Sequence, residues 1–257
     1  MDKPLSAARR RELIVERASR TGLASVEDLA GQFDISPSTI RRDLARLHAD
    51  GRLARTYGGA IPAVAHPESS LRERLQESTA EKTAISDRAA ALVGDGEVVL
   101  LDGGSTVLQL AYAVHDRSPL TVVTAALHIM QALASAPGVV VECLGGRLRE
   151  MSDSMVGPIA EAALERMTFD RVFLGADGVD AARGICEADR EQARLKELMV
   201  RSSEEVVVLA DATKLGTAPF HAWTRLGADW TLITDATATA DQLAPFEERG
   251  VRVIVAD

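Results

Sequence analysis

The hydroxyl and arginine side chains between positions 36 and 55 have the types and the spacing of groups that contact DNA. Ser36 can cap a helix with Pro37 in its first turn, and Ile40, Leu44 and Leu47 then share one buried face. At the N-terminus of such a helix, hydroxyl and backbone N–H groups reach phosphates or base edges, and guanidinium groups bind guanine or phosphate. The candidate DNA contacts are Ser36, Ser38, Thr39, Arg41, Arg42, Arg52 and Arg55.

Two glycine pairs lie in loops where the backbone could approach an anion closely. The residues of the first loop are Asp102, Gly103, Gly104, Ser105 and Thr106. The residues of the second loop are Gly145, Gly146 and Arg147. The N–H groups and hydroxyls of the first loop suit a phosphate, and the arginine of the second could grip one with two hydrogen bonds. Glycine pairs also serve ordinary strand-to-helix turns, and that alternative stays open.

Charged residues follow two later apolar runs. Asp177 comes after the first of them, and Asp211 and Lys214 come after the second. Carboxylates in such places can accept hydrogen bonds from sugar hydroxyls, and a lysine can contact a phosphate or a carbonyl. Alternatively, the two aspartates cap the turns in which they lie. Lys82 and Lys196 fall within predicted helices, where a lysine is usually solvated, so their pattern alone favours the surface.

The candidate DNA contacts require a small helical domain to position them. We predict a first helix over about 6–20, a second helix that opens at Ser25 and a third that follows Ser36. The side chains predicted to face its core are Leu13, Ile14, Ala18, Val26, Leu29, Ala30 and Phe33. A basic segment with a glycine pair follows at 52–60 and suits a hairpin. This order of elements is that of a winged helix-turn-helix, which places its third helix in the major groove.

The glycine loops require an open α/β sheet to position them. From residue 81 onward, short β-branched apolar runs alternate with helical segments, which indicates a mostly parallel sheet. The predicted strands are 97–101, 120–124, 139–144, 171–174, 206–209, 231–234 and 251–255. The predicted helices include 83–93, 106–114, 159–167, 191–202 and 239–249. Such sheets bind ligands outside the carboxyl ends of their strands, where the glycine pairs and the charged residues fall.

The chain has the length and the charge distribution for these two domains. Its 257 residues are 46% hydrophobic, enough for two separate cores. We place the DNA-binding domain at 1–60, a linker at 61–80 that could hold a short helix, and the α/β domain at 81–257. The net charge of −9 divides into +3 for residues 1–60 and −12 for the remainder. A basic head on an acidic body is compatible with DNA binding by the head alone.

Several classes of protein are disfavoured by the same composition. Apolar stretches end well before the roughly 18 residues that a membrane span needs, and no signal region opens the chain. Cys143 and Cys186 are far apart and have no neighbouring Cys or His at metal-ligand spacing. We therefore expect a cytoplasmic protein with reduced cysteines and without a metal, a cofactor or a membrane partner.

The segment from about residue 9 to residue 60 resembles the DNA-binding domain of the DeoR family of transcriptional regulators. The capped helix, Pro37, the paired arginines at 41 and 42 and the glycine pair at 58 and 59 follow the family signature. Tyr57 is a departure, because members often carry a histidine there. The resemblance implies a winged helix-turn-helix that binds double-stranded operator DNA.

The remainder of the chain resembles the sensor domain of the same family, which is similar in fold to ribose-5-phosphate isomerase. The family typically senses phosphorylated sugars or related metabolites. By this resemblance, the effector's phosphate lies near Gly103, Gly104, Ser105, Thr106 and Arg147, and its sugar near Asp177, Lys196, Asp211 and Lys214. The segment 124–126 is a departure, since Thr-Ala-Ala stands where members often have Thr-Asn-Ser.

Three functions are compatible with these features. The favoured one is a repressor of a carbohydrate-metabolism operon that a phosphorylated sugar releases from its operator. A helix-turn-helix head usually works in pairs, so we expect a homodimer or a homotetramer. The second is a sugar-phosphate isomerase with an accessory head, although the segment 183–187 lacks the glycine-rich pattern of that enzyme. The third is an architectural DNA-binding protein with a vestigial sensor.

Overall fold

A computed structural model describes residues 7–21, 24–49, 53–56, 59–62 and 68–257. The chain divides into two compact units, Met1–Pro67 and Glu68–Asp257. The division falls inside the segment 61–80, for which the sequence predicts a linker. Residues 68–80 of that segment lie in the second unit, and they include a short helix, Leu71–Arg74.

The first unit is a helical domain with a small antiparallel sheet. Its helices are α1 (Ala7–Thr21), α2 (Val26–Phe33) and α3 (Pro37–Ala49). Its strands are β1 (Ala24–Ser25), β2 (Leu53–Thr56) and β3 (Gly59–Pro62), in the order β1-β3-β2. The hairpin β2–β3 is the wing, so the predicted winged helix-turn-helix is confirmed.

The core of the first unit is formed by most of the apolar side chains that the sequence predicts; Leu13 is an exception, because it is partly exposed and is not among the residues packed in this core. Its buried side chains are Ile14, Val26, Leu29, Ala30, Ile40, Leu44 and Leu47. The cap of α2 is also as predicted, because the N–H of Asp28 donates to the hydroxyl of Ser25 at 3.0 Å. Phe33 is partly buried against this core, and the side chain of Ala18 lies outside the described residues.

The second unit is built on a seven-stranded parallel sheet. Its strands are β4 (Val98–Leu101), β5 (Leu120–Thr124), β6 (Val139–Cys143), β9 (Phe169–Leu174), β12 (Ser203–Leu209), β14 (Thr231–Asp235) and β15 (Arg252–Ala256). Their order is β15-β14-β12-β9-β4-β5-β6, and every neighbouring pair is parallel. Each of the seven predicted strands overlaps one of these, so the open α/β fold is confirmed.

Helices cover both faces of this sheet and bury two apolar clusters against it. The helices are α4 (Leu71–Arg74), α5 (Thr79–Ala90), α6 (Ser105–Ala113), α7 (Leu127–Leu133), α8 (Pro158–Leu164), α9 (Arg190–Arg201) and α10 (Ala240–Glu247). The five predicted helices match α5, α6, α8, α9 and α10. None of the helices in the described part of the chain is both long enough and apolar enough to cross a membrane.

Two small antiparallel sheets were not predicted. One is the hairpin of β7 (Arg147–Arg149) and β8 (Ser154–Val156). The other joins β10 (Gly178–Asp180), β11 (Gly184–Glu187) and β13 (Ala222–Thr224) in that order. These strands have three or four residues each, too few for an alternating pattern to stand out. Both sheets matter for function because they carry residues near the carboxyl ends of the parallel strands.

Candidate functional site: a helix surface and a charged cleft

The N-terminus of α3 presents an exposed cluster of hydroxyl groups. The N–H of Thr39 donates to the hydroxyl of Ser36 at 3.3 Å, so Ser36 caps the helix. The hydroxyl oxygen of Ser36 lies 2.8 Å from that of Ser38 and 3.0 Å from that of Thr39. Ser36 and Ser38 are exposed, and Thr39 is partly exposed. These hydroxyls are therefore available to a phosphate or a base edge.

The arginines of α3 lie off its buried face, as the spacing predicts. Arg41, Arg42 and Arg46 are exposed, and a terminal nitrogen of Arg41 lies 3.9 Å from a carboxylate oxygen of Glu27. At 59% and 70% side-chain exposure, this pair holds Arg41 only weakly. For the wing, Arg52 and the side chain of Arg55 lie outside the described residues.

A buried ion pair fixes α3 against α1. Nε of Arg10 lies 2.7 Å from a carboxylate oxygen of Asp43, and the two side chains are 12% and 10% exposed. Asp43 is the residue after Arg42, so its side chain turns inward where the arginine side chain turns outward. The pair joins α1 to α3 and adds to the apolar contacts that hold α3 in place.

In the second unit, a cleft opens at the carboxyl ends of the central parallel strands. Its walls come from the loop after β4, the loop after β9, β11, α9 and the turn after β12. Seven residues of the predicted effector site line it, namely Gly103, Gly104, Ser105, Thr106, Asp177, Lys196 and Lys214. The tertiary structure thus brings together groups that lie up to 111 positions apart in the chain.

The loop after β4 has the backbone conformation of an anion cradle. Gly104 has a φ of 131° and lies directly before α6, whose first turn has no side-chain cap. A Cβ at Gly103 would lie 2.2 Å from the hydroxyl oxygen of Ser154, so a larger residue there would require that hydroxyl to turn away. The N–H of Gly104 donates to Nε2 of His128 at 3.2 Å. Uncapped N–H groups at a helix start favour an anion.

His128 is a buried neighbour of this loop that the sequence did not single out. Burial lowers the pKa of His128, which favours the neutral ring whose Nε2 accepts from Gly104. Its Nδ1 lies 3.7 Å from a carboxylate oxygen of Asp153. The ring thus helps to hold the backbone of the loop in place by accepting the hydrogen bond from Gly104.

Lys196 occupies the floor of the cleft, and the surface interpretation of this lysine is wrong. Its ammonium group lies 2.9 Å from a carboxylate oxygen of Asp102, pairs with Glu187 and donates to the carbonyl of Gly175 at 2.9 Å. Burial opposes the charge, but the two carboxylates outweigh it and raise the pKa of Lys196. Burial raises the pKa of Glu187 to about 8. Asp102 is buried outside the cleft lining and pairs with Lys196.

The two aspartates predicted to contact the sugar have different surroundings. Asp177 lines the cleft, where one carboxylate oxygen accepts from Arg74 at 3.0 Å and the other from the N–H of Ala188 at 3.3 Å. Asp211 is buried and caps a turn, because it accepts hydrogen bonds from the N–H and the hydroxyl of Thr213. Asp211 therefore has the capping role that the sequence left open.

Lys214 lines the cleft at the end of that turn. Its ammonium group donates to the carbonyl of Ala176 at 2.7 Å and lies 3.8 Å from a carboxylate oxygen of Asp211. Burial lowers the pKa of Lys214. A partly desolvated lysine at a cleft mouth suits an anionic or carbonyl ligand.

The second glycine loop lies outside the cleft lining. Arg147 is the first residue of β7; its side chain is 65% exposed and pairs with Glu191. A Cβ at Gly146 would lie 2.7 Å from the carbonyl oxygen of Val156, so this glycine lets the strands of the hairpin approach. For Gly145 and Gly146 the turn interpretation therefore has direct support.

Arg74 and Lys82, which the sequence assigned to the linker and to the surface, both lie in or next to the cleft. Arg74 lines the cleft, although its segment was predicted to be linker. Lys82 was predicted to be solvated, and that prediction is wrong: it is buried and donates to the carbonyls of Arg74 and Glu77 at 2.5 and 2.6 Å. Neither stands beside a strand end in the sequence, so no local pattern marks them. Within the described residues, no three His, Cys, Asp or Glu side chains are placed to hold a metal ion.

Comparisons with known proteins agree for both units. Residues 10–63 match the DeoR-like helix-turn-helix domain, and residues 77–236 match the DeoR C-terminal sensor domain. The HTH-type transcriptional regulator GlpR of Haloferax volcanii is 35% identical over 96% of this chain and 97% of its own length. The putative aga operon transcriptional repressor of Escherichia coli O157:H7 is 32% identical over 96% of this chain and 93% of its own length.

One further relative and one solved structure are also similar to this chain. The transcriptional repressor AccR of Agrobacterium fabrum is 32% identical over 93% of this chain and 94% of its own length. Ribose-5-phosphate isomerase A of Methanocaldococcus jannaschii is 18% identical, with a TM-score of 0.39 over 52% of each chain. That structural similarity is too low to carry a functional argument.

Proposed function

This chain belongs to the DeoR family of transcriptional regulators, and we propose that it represses a carbohydrate-metabolism operon until a phosphorylated sugar releases it from its operator. The protein acts as a homodimer or a homotetramer in the cytoplasm, where its DNA target lies. The residues proposed for DNA are Ser36, Ser38, Thr39, Arg41, Arg42, Arg52 and Arg55. The residues proposed to contact the effector directly are Gly103, Gly104, Ser105, Thr106, Asp177, Lys196 and Lys214.

The observation that carries the proposed effector class is the composition of the cleft. An uncapped helix start with two glycines faces Lys196 and Lys214, and this combination favours a phosphate group. Asp177 adds a carboxylate that can accept hydrogen bonds from sugar hydroxyls. A further relative, the lactose phosphotransferase system repressor of Lactococcus lactis, is 29% identical over 95% of this chain and 97% of its own length, which supports a sugar-related effector here.

Release of DNA by the effector requires that the two sites be coupled. An effector shifts the population between two states only by the difference in its affinity for them. A coupling of about 1–3 kcal/mol changes operator affinity by about 5- to 150-fold. The proposed repressor needs a coupling in this range.

A screen of sugar phosphates against the full-length protein tests the proposal. Thermal unfolding is measured with triose, pentose and hexose phosphates and with the same sugars without phosphate. The effector should raise the melting temperature by mass action, because at 100 times its Kd it stabilises the folded protein by about 2.7 kcal/mol. The same sugar without its phosphate should leave the melting temperature unchanged.

The same compounds are then added to a complex of the protein with DNA selected from a random pool. The effector should weaken this complex at constant ionic strength. An effector that binds the protein and leaves the affinity for the selected DNA unchanged would contradict the proposed repressor. Chemical conversion of a bound sugar phosphate would favour the isomerase alternative instead.

A further inference from the structure

Among the described residues that line the cleft, Arg74 is the one that carries a guanidinium, and this group is incompletely paired. One of its terminal nitrogens donates to Asp177 at 3.0 Å. Its Nε is buried and has no hydrogen-bond partner among the residues that the structure describes. A buried donor without an acceptor is unfavourable, and a ligand that accepts a hydrogen bond from it removes that cost.

The other cations of the cleft are more fully engaged. Lys196 contacts two carboxylates and a carbonyl, and Lys214 donates to a carbonyl and lies near Asp211. The guanidinium of Arg74 has five N–H donors in a planar fork that matches a phosphate. An entering phosphate therefore finds its best unsatisfied donor on Arg74.

The same side chain belongs to the segment through which the second unit joins the rest of the chain. Arg74 ends α4, which begins three residues after Glu68, the first residue of this unit. Glu68 is held by Arg149, and the N–H of Leu71 donates to the carbonyl of Met151 at 3.0 Å. The ion pair between Arg74 and Asp177 is a further contact, and it joins α4 to a residue that lines the cleft.

We propose that Arg74 is a phosphate ligand that exchanges Asp177 for the effector's phosphate, and that this exchange alters how α4 is held. Because Nε is buried in the present arrangement, the guanidinium must turn to offer it, and turning breaks the bond to Asp177. The exchange links the cleft to the segment that leads to the DNA-binding unit. This inference rests on the proposed function and adds to it the residue through which binding of the phosphate changes the contacts of α4.

Titration of the full-length protein with inorganic phosphate tests this assignment, with ionic strength held constant by sodium chloride. Arg74→Ala should weaken phosphate binding by about tenfold or more, as expected for a lost hydrogen bond between charged groups. Arg72→Ala is the matched control, because Arg72 lies on the same helix and is exposed. Its phosphate affinity should equal that of the wild type.

Asp177→Asn should have the opposite effect on phosphate binding. It tests the assignment even if Arg74→Ala fails to fold. The amide keeps the shape of the carboxylate but removes the negative charge that competes for Arg74, so phosphate should bind more tightly. Unchanged phosphate affinity in Arg74→Ala, or unchanged or weaker affinity in Asp177→Asn, would overturn the assignment. So would a wild-type protein that binds no phosphate.

The link to DNA is measured as the ratio of operator Kd with and without phosphate. This ratio should fall toward one in Arg74→Ala and remain that of the wild type in Arg72→Ala. A wild-type ratio of one, with phosphate bound through Arg74, would overturn the link between the exchange and DNA binding and leave the ligand assignment standing; the repressor itself is tested by the sugar phosphates of the effector screen. A wild-type ratio that Arg74→Ala preserves would overturn the proposed exchange and leave the repressor intact.

Discussion

At the scale of single residues, Arg42 is the side chain on which DNA recognition is tested most directly. It is exposed on α3, next to Asp43, whose side chain is held inward. We expect Arg42→Ala to weaken operator binding by about 1–3 kcal/mol if the guanidinium reads a base. Binding measured against matched and mismatched DNA at one salt concentration checks this. Equal losses on both sequences would assign Arg42 to a phosphate instead.

Glu187 makes a prediction about stability and pH. Burial raises its pKa from 4.5 to about 8, so between these values the folded protein binds a proton that the unfolded chain releases. Glu187 therefore favours folding most at the acidic end of that window, and its contribution declines as pH rises toward 8.

We expect Glu187→Gln to remove this pH dependence. The unfolding free energies of the wild type and the variant are measured by chemical denaturation from pH 5 to 8.5. The stability of the wild type relative to the variant should fall as pH rises toward 8. The comparison with the variant is needed because His128, whose pKa burial lowers, acts in the opposite sense in part of this range. A constant difference across the range would contradict the assigned titration.

At the scale of elements, the orientation of α3 depends on the pair Arg10–Asp43. Asp43→Asn leaves the charge of Arg10 partly buried without its carboxylate, and we expect a loss of about 3 kcal/mol of stability in the first unit. Operator affinity should fall with it, because α3 is no longer held at one angle. Arg9→Ala serves as the control, since the pair Arg9–Glu12 is exposed on α1.

The hairpin β7–β8 separates the two hypotheses about Arg147. The sequence predicts that Arg147 contacts the phosphate and that Arg147→Ala abolishes effector binding. The side chain is instead exposed, pairs with Glu191 and lies outside the cleft lining. From this geometry we expect Arg147→Ala to keep the thermal shift caused by the effector and Lys214→Ala to reduce it. Loss of the shift in Arg147→Ala would restore the original hypothesis.

At the scale of the whole molecule, the proposed coupling between the cleft and the DNA surface must be reciprocal. If the effector weakens operator binding by a given factor, operator DNA must weaken effector binding by the same factor. Titration of the effector into free protein and into saturated protein–DNA complex gives one factor, and titration of DNA with and without effector gives the other. Unequal factors at equilibrium would mean that the effector also binds DNA or changes the oligomeric state.

The fold was predictable from the sequence because its elements carry strong local patterns. Strands of a parallel sheet are buried on both faces, so β5 and β14 appear as short apolar runs rich in β-branched residues between helical segments. In α3, the spacing of Ile40, Leu44 and Leu47 alone separates the buried face from the arginines. The short strands of the two antiparallel sheets carry no comparable pattern.

The candidate site was predictable in part, and the reason is physical. By itself the sequence determined the glycine loop before α6, because glycines, hydroxyls and a following helix act within a few residues of each other. Only the tertiary structure decided that Lys196 is a buried partner of Asp102 and Glu187, that Arg147 is exposed and pairs with Glu191, and that Arg74 lines the cleft. Burial and charge pairing of a side chain depend on which distant segments pack around it, and local spacing does not contain that information.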